Sequence, residues 1–347
     1  MADAGAAPHL RLLVPGLLGP LPGMQGADFP WPACPTLERL LGRAEPHPGP
    51  TTPLAVLPTH FLDSPRLQGA AALSWLGEFG HLPPAAVLRA DPVHLRADRD
   101  QLLLFGPETL DLEAGEFEAL AAAFNAHFRD EGLRLQPTPE GRGYLHLARH
   151  PEIQTLPLER MLGRPVTDFL AGGKERERWR RWLTEVQMLF ANHHVNLRRQ
   201  VEGRPSVNGL WLWGEGPVPP PRPNLNRSLV LHADDPIFRG TAMHCDLHVA
   251  PRGEPAETFR SPSDHEEHWF LFDHMRPLAA YGELEGWRHA VAAFDQDWLQ
   301  PAFAALRAGR IRLLDLVPMN GRLYRLRWHR SWIPWRRAHP SAHVQHD

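Results

Sequence analysis

Residues 206–216 read SVNGLWLWGEG, and the proline-rich run PVPPPRP follows at 217–223. Apolar residues fall on both alternating faces of the segment, which is how a strand covered on both sides reads, so a buried parallel strand is expected here. Trp211 and Trp213 lead directly into Gly214, Glu215 and Gly216. In open α/β sheets ligands bind beyond the carboxyl ends of strands, and glycines let backbone amides approach an anion. The plainer alternative is a turn that starts a polyproline connector.

Working outward, Lys174 to about Val201 has the periodicity of one long helix, with Trp179, Trp182, Leu183, Val186, Phe190 and His193 along one stripe and Glu177 placed to pair with Arg181. Near its end Asn196 and Arg199 lie one turn apart. They either converge on a ligand or serve as a helix-end cap and a solvated arginine. Upstream, PVHLRAD and QLLLFG read as paired strands, Glu113 to about Glu131 as a helix with one apolar face, and LRLQPTPEGRGYLHL as two more strands. Residues 90–150 therefore read as an α+β subdomain inserted between 1–89 and 151–347. HLRLLVPGLL reads as the first strand, PTLERLL as a short helix, Glu45 to Pro58 as loop, WRHAVAAFDQDWLQPAFAALRAG as a late helix and RLYRLRWH as the last strand, with Tyr324, Leu326 and Trp328 on one side.

The chain has 347 residues, 43% hydrophobic and 22% charged, with net charge −3, enough for a sizeable core and poor in the bulk positive charge of a nucleic-acid binder. Nucleic acid is therefore not an expected partner. No run approaches the roughly 18 apolar residues of a membrane span, and the broken apolar stretch near Leu12 to Leu21 lacks a basic n-region, so neither membrane nor signal peptide is expected. Two cysteines, Cys34 and Cys245, make no disulfide framework, which fits a reducing cytoplasm.

The ordered set DPVHLRADRDQLLLF, ETLDLEAGEFEALAAAF, GRGYLHL and HHVNLRRQVEGRPSVNGLWLWGEG resembles the archaeal-type cofactor-independent phosphoglycerate mutases of the alkaline-phosphatase superfamily, and still more the bacterial regulatory proteins of the RpfE type. The resemblance implies an α/β fold: an alkaline-phosphatase-like core sheet flanked by helices, carrying the inserted α+β subdomain. It also implies a ligand site built from His146, Asn196, Arg199, Asn208, Gly214 and Gly216. The family's chemistry uses two divalent metals and a serine nucleophile. Here the first strand, LLVPGLLGP, offers no metal-binding aspartate, Gln68 and Gly69 stand where a Ser-Asp pair is expected, and Leu145 replaces an arginine beside His146. The expectation is a degenerate, regulatory protein without metal or cofactor that binds a small phosphorylated metabolite or a protein partner. The alternative is an active mutase or phosphatase with a relocated metal site.

Other segments carry weaker chemistry. His244, Cys245, Asp246 and His248, with Asp264, His265, His268 and Asp273, are metal-ligand types without a metal-site spacing. Ser64 sits in a turn-like DSP without a nucleophile-elbow pattern. The C-terminal RLYRLRWHRSWIPWRRAHP interleaves arginine and tryptophan and is either a partner-binding surface or a strand with a packed tail.

Overall fold

The computed structural model describes residues 7–21, 24, 28–166, 172–253, 267–333 and 336–344. The chain divides into two compact units, one made of residues 1–66 and 221–347 and the other of residues 67–220. Each has its own sheet and core, and the mixed α/β architecture with an inserted α+β unit is the one expected. The insert is longer than residues 90–150, because the strand and helices after residue 150 close its core.

In chain order the strands are β1 (His9–Leu13), β2 (Glu45–Pro48), β3 (Ala86–Asp98), β4 (Gln101–Phe105), β5 (Arg134–Pro137), β6 (Gly143–Leu147), β7 (Gly209–Trp213), β8 (Leu229–His232), β9 (His248–Ala250), β10 (Glu267–Leu271), β11 (Leu313–Val317) and β12 (Arg322–Arg327). The first unit holds a seven-stranded sheet in the order β2-β12-β11-β1-β10-β8-β9. β1 lies parallel to both β10 and β11, whereas β12 and β2 add antiparallel at one edge. Leu10, Leu12, Leu314, Leu316 and Phe270 alternate onto the face that packs against the helices Pro35–Arg43, Leu284–Phe294 and Gln300–Arg307. The opposite face carries a charged group: Asp315, fully buried, accepts from Arg325 at 2.9 Å and 2.8 Å and lies 2.9 Å from His9 Nε2.

Three expectations for this unit need correction. Glu45 to Pro58 is not loop: Glu45–Pro48 pairs with β12, and Thr52 caps a helix at Pro53–His60 by accepting from the Ala55 amide. The late helix is interrupted by a five-residue π segment, Asp295–Leu299. There Asp295 accepts from the amides of Leu37 at 2.6 Å and Thr36 at 3.2 Å, capping the first helix, whose own N-cap residue Cys34 makes no side-chain bond. Trp328 does not continue the last strand; it opens a 3-10 helix, Trp328–Trp332.

The second unit holds a five-stranded sheet, β4-β3-β6-β5 with β7 on β3. β7 is buried at every residue, as its double-sided apolar pattern requires, but it runs antiparallel to β3, with Trp213 opposite Arg89 and Gly209 opposite Val93. A parallel partner was the expectation. The pattern reports coverage of both faces and not direction. One face packs Leu88, Leu145 and Leu210 against Phe117, Leu120 and Phe124 and against Trp179, Leu183, Val186 and Phe190. The other packs Val87 and Tyr144 against Ala71 and Trp75.

The long helix expected from Lys174 to Val201 is two helices, Arg176–Ala191 and His194–Val201. His193 adopts extended backbone and its side chain accepts from the Val195 amide, so it starts a new helix in place of extending the core stripe. Glu177 pairs with Arg180 at 3.5 Å, one residue before the expected Arg181.

Candidate functional site

The residues singled out by the resemblance lie in the second unit, but they are not presented together to a ligand. Asn196 is fully buried; its amide nitrogen donates to the carbonyls of Phe190 and Val207 at 2.8 Å each, and its oxygen accepts from the Val207 amide at 2.8 Å. It clamps the helix junction to the start of β7. Arg199 is equally buried, with its guanidinium bonded to Glu116, to the Pro205 carbonyl at 2.7 Å and to the Leu110 carbonyl. Desolvation disfavours the charged form of Glu116, but its bonds to the Glu113 amide and Arg198, with the charges of Arg199 and Arg204, hold its carboxyl below the usual range. Asn208 accepts from the Leu95 amide at 2.7 Å and donates to the Leu95 carbonyl at 2.9 Å, continuing the β7–β3 pairing with a side chain.

His146 stands on the other face of the sheet. It lies on β6 two residues from Tyr144, its Nε2 is 3.1 Å from Gln136, and its ring meets Trp75 edge-on at 5.0 Å. Burial and the charge of Arg134 lower its pKa. Gly214 and Gly216 have φ of 82° and 94°, so the glycine requirement is met, but the loop closes on protein and not around a vacant anion cradle. The Gly214 amide donates to Thr155 at 3.3 Å, and the Gly214 and Glu215 carbonyls accept from Ala71 and Gly69. The expected site thus resolves into five separate structural joints.

The positions where the resemblance implies metal and nucleophile do not fit them. Beyond β1 the chain carries Val14, Leu17 and Leu18, all buried in the apolar core, and these side chains have no donor for a cation. Gly69 has φ of +64°, and a Cβ there would lie 2.8 Å from the Val218 backbone. Ser64 is half-buried and donates to the Arg66 carbonyl at 2.7 Å within a turn. Burial pushes the thiols of Cys34 and Cys245 up to about 12 and about 11, which removes both as nucleophiles near neutral pH.

The histidine-rich segment does bring His232 and His268 together, Nε2 to Nδ1 at 3.0 Å, with rings 27° apart and centroids separated by 5.3 Å. The nitrogens therefore point at each other along one line, an imidazole-imidazole hydrogen bond, and not at a common third point. His244 ends the helix Pro236–His244 and His248 begins β9; Asp264 and His265 lie outside the described residues. Among the described residues no group of three His, Cys, Asp or Glu side chains is placed to hold a metal ion.

Pattern reading missed a concave site on the same unit. A cavity of about 480 Å³ lies over the β3–β4 hairpin, with His94, Arg96 and Phe105 on the strand side and Gln200, Arg204 and Pro205 opposite. His94 faces Phe105 across the ladder, and strand alternation puts Arg96 on the same side. The Arg96 guanidinium lies over the Phe105 ring at 4.4 Å. Arg204 is held by Glu113 at 2.6 Å, Glu202 at 3.4 Å and the Asp111 carbonyl. The legible signal was the alternation His94-x-Arg96 toward the exposed end of β3, beyond the buried Arg89 and Asp91.

No family profile matches the chain. The PH0037 protein of Pyrococcus horikoshii shares the fold, with a TM-score of 0.51 at 14% identity over 97% of this chain and 92% of that one. Among the described residues no helix is long and apolar enough to cross a membrane. The 2,3-bisphosphoglycerate-independent phosphoglycerate mutase of Methanosarcina barkeri is 28% identical over 131 residues, 36% of this chain and 28% of the relative. The enzyme numbered 2 of that name in Methanothermobacter thermautotrophicus is 31% identical over 120 residues, 32% of this chain and 28% of the relative. The chain thus spans under a third of the length of these two relatives. Over about a third of its own sequence it is related, at low identity, to the 2,3-bisphosphoglycerate-independent phosphoglycerate mutases.

Proposed function

We propose that this protein is a degenerate phosphoglycerate mutase-like chain, regulatory in the manner of the RpfE-type proteins it resembles, that binds a small phosphorylated metabolite without metal-dependent phosphoryl transfer. The observation that carries this reading is Gly69. It stands where the resemblance calls for a nucleophile's partner, in a left-handed conformation closed against the Val218 backbone, so that no side chain fits. The apolar end of β1 supports it from the metal side, since phosphoryl transfer assisted by two ions needs convergent anionic or imidazole ligands.

The test is metal analysis of the purified protein with a mutase assay in manganese and calorimetric titration with 3-phosphoglycerate. Binding without turnover is expected. Divalent metal near stoichiometry together with turnover would establish the rival, an active mutase or phosphatase with a relocated metal site. A protein partner is the second binding reading. It is favoured by Trp328 and Trp332, which are 50% and 49% exposed, with Arg307 stacked on Trp332 at 3.9 Å.

A further inference from the structure

The segment after β12 is strapped to the first helix, Pro35–Arg43. Arg43, itself buried, donates to the Ser331 carbonyl at 2.5 Å and the Arg336 carbonyl at 3.2 Å, and Arg330 donates to the Arg43 carbonyl at 2.7 Å. The Ala338 amide donates to the Glu38 carbonyl at 3.0 Å. At Gly42 the Arg337 backbone passes so close that a Cβ would lie 2.6 Å from it.

Two tryptophans are held on this strap and still face solvent. Trp328 donates its indole N–H to the Arg307 carbonyl at 3.1 Å, and the Arg307 guanidinium lies 3.9 Å from the centre of the Trp332 ring. Both rings stay about half exposed, and that exposure is what remains after Arg307 has covered part of Trp332.

The same face gathers cations without counter-ions. Among the described residues no carboxylate lies within ion-pair distance of Arg39, Arg307 or Arg337, whereas Arg330 is paired with Glu45 at 2.6 Å. These three charges are near enough to act on Arg43, whose pKa is lowered by burial first and by Arg39, Arg307 and Arg337 after it. Like charges brought together repel, and a bound anion relieves that repulsion.

We infer that this face of the first unit docks a protein segment presenting carboxylates beside an apolar side chain, the carboxylates on Arg39, Arg307 and Arg337 and the apolar group against the exposed parts of Trp328 and Trp332. Tryptophan and arginine are the side chains that most often dominate protein–protein contacts, and the guanidinium fork matches a carboxylate. The charge of the whole chain favours a peptide over a longer polyanion. A nucleic acid or an anionic bilayer carries its charge beyond the patch, where a chain of net charge −3 repels it, and a few carboxylates do not extend so far. The inference rests on the protein-partner reading above and supplies that partner's chemistry.

The experiment selects binders of the full-length wild type from a displayed random peptide library. The selected peptides are then titrated by fluorescence polarisation into wild type, Trp328→Ala and the double variant Arg307→Gln with Arg337→Gln. A mixed-sequence single-stranded oligonucleotide and phosphatidylserine vesicles are titrated beside them. The selected set is expected to be enriched in Asp and Glu next to Leu, Met or an aromatic residue. Versions carrying Asn and Gln for Asp and Glu should bind about tenfold more weakly or worse, and so should both variants, each with the unfolding midpoint of wild type. A set without acidic enrichment that still needs Trp328 overturns the inference and leaves the partner reading standing. Equal affinity in wild type and either variant overturns the inference, as does tighter binding of the oligonucleotide or the vesicles than of any selected peptide. A library from which wild type selects nothing removes both readings and leaves the binding of 3-phosphoglycerate to its own titration.

Discussion

Arg199 and Glu116, 83 residues apart in sequence, form an ion pair in which the two side chains are 0% and 2% exposed. The pair joins the helix His194–Val201 to the helix Glu116–His127, and through the Leu110 and Pro205 carbonyls the same guanidinium fixes the segments on either side. An arginine so placed is a keystone of the fold and is out of reach of a ligand.

Arg199→Ala is accordingly expected to destabilise the protein by about 3–5 kcal/mol, because it removes the buried partner of Glu116, which keeps only Arg198 and Arg204, and leaves the Leu110 and Pro205 carbonyls without their donor. Arg199→Ala with Glu116→Gln should recover part of that loss. Urea denaturation measures both, and an Arg199→Ala variant as stable as wild type would contradict a keystone role.

Gly69→Ser is expected to cost about 1–3 kcal/mol for the left-handed backbone alone, with more from the approach to Val218. Restoring the pair expected of a mutase, Gln68→Ser with Gly69→Asp, should lower the thermal midpoint and yield no manganese-dependent turnover. Activity in that double variant would falsify the reading of a closed-off position beside the nucleophile's.

His9 provides a pH signature. Burial alone would lower its pKa, but hydrogen bonds to Asp315 and Glu267, and their charges, raise it above the usual value of 6.5. A pKa raised in the folded state gives stability that is present in full below the unfolded value and lost as pH rises through the folded value. The advantage of wild type over His9→Gln in thermal midpoint should therefore be largest near pH 6 and shrink as the solution turns alkaline. Comparing the two proteins cancels His60, whose pKa burial lowers to about 4 and which works in the opposite sense. A difference that is flat between about pH 6 and 9 would remove His9 from the charged group.

Residues 67–220 are contiguous and contain both strands and helices of their own core. Expressed alone, they are expected to fold, with one cooperative denaturation transition by circular dichroism. A fragment ending at residue 150 lacks β7 and the Trp179, Leu183, Val186 and Phe190 side chains and should not fold.

What the sequence made legible follows local periodicity. The β3–β4 hairpin, the helix Glu116–His127, the β5–β6 pair and the burial of β7 were all readable, because each depends on which side of its own backbone is apolar. The direction of β7 was not, because a strand covered on both faces looks the same beside either kind of neighbour. The break at Asn192 and His193 carries neither proline nor glycine, and only the cap bond to Val195 distinguishes it from continuous helix. Arg199 read as a ligand contact or a solvated side chain, and not as a buried joint, because Glu116 lies far away in the chain. His94 and Arg96 were visible as charges on a strand, but the wall that makes a cavity of them comes from residues 200–206.

The π segment at Asp295–Leu299 fits one residue more into its coil than regular winding would, and that surplus sets the rotational phase of everything after it. Asp295 has to look toward Thr36 and Leu37 while Ala302, Phe303 and Leu306 still look into the core. Regular α winding turns by about 100° per residue. Deleting Gln296 would therefore swing one set of side chains away from its target, leaving a choice between an uncapped first helix and a core turned outward. A segment that looks like slack in the spiral is the gear tooth that keeps two distant parts of the unit in mesh.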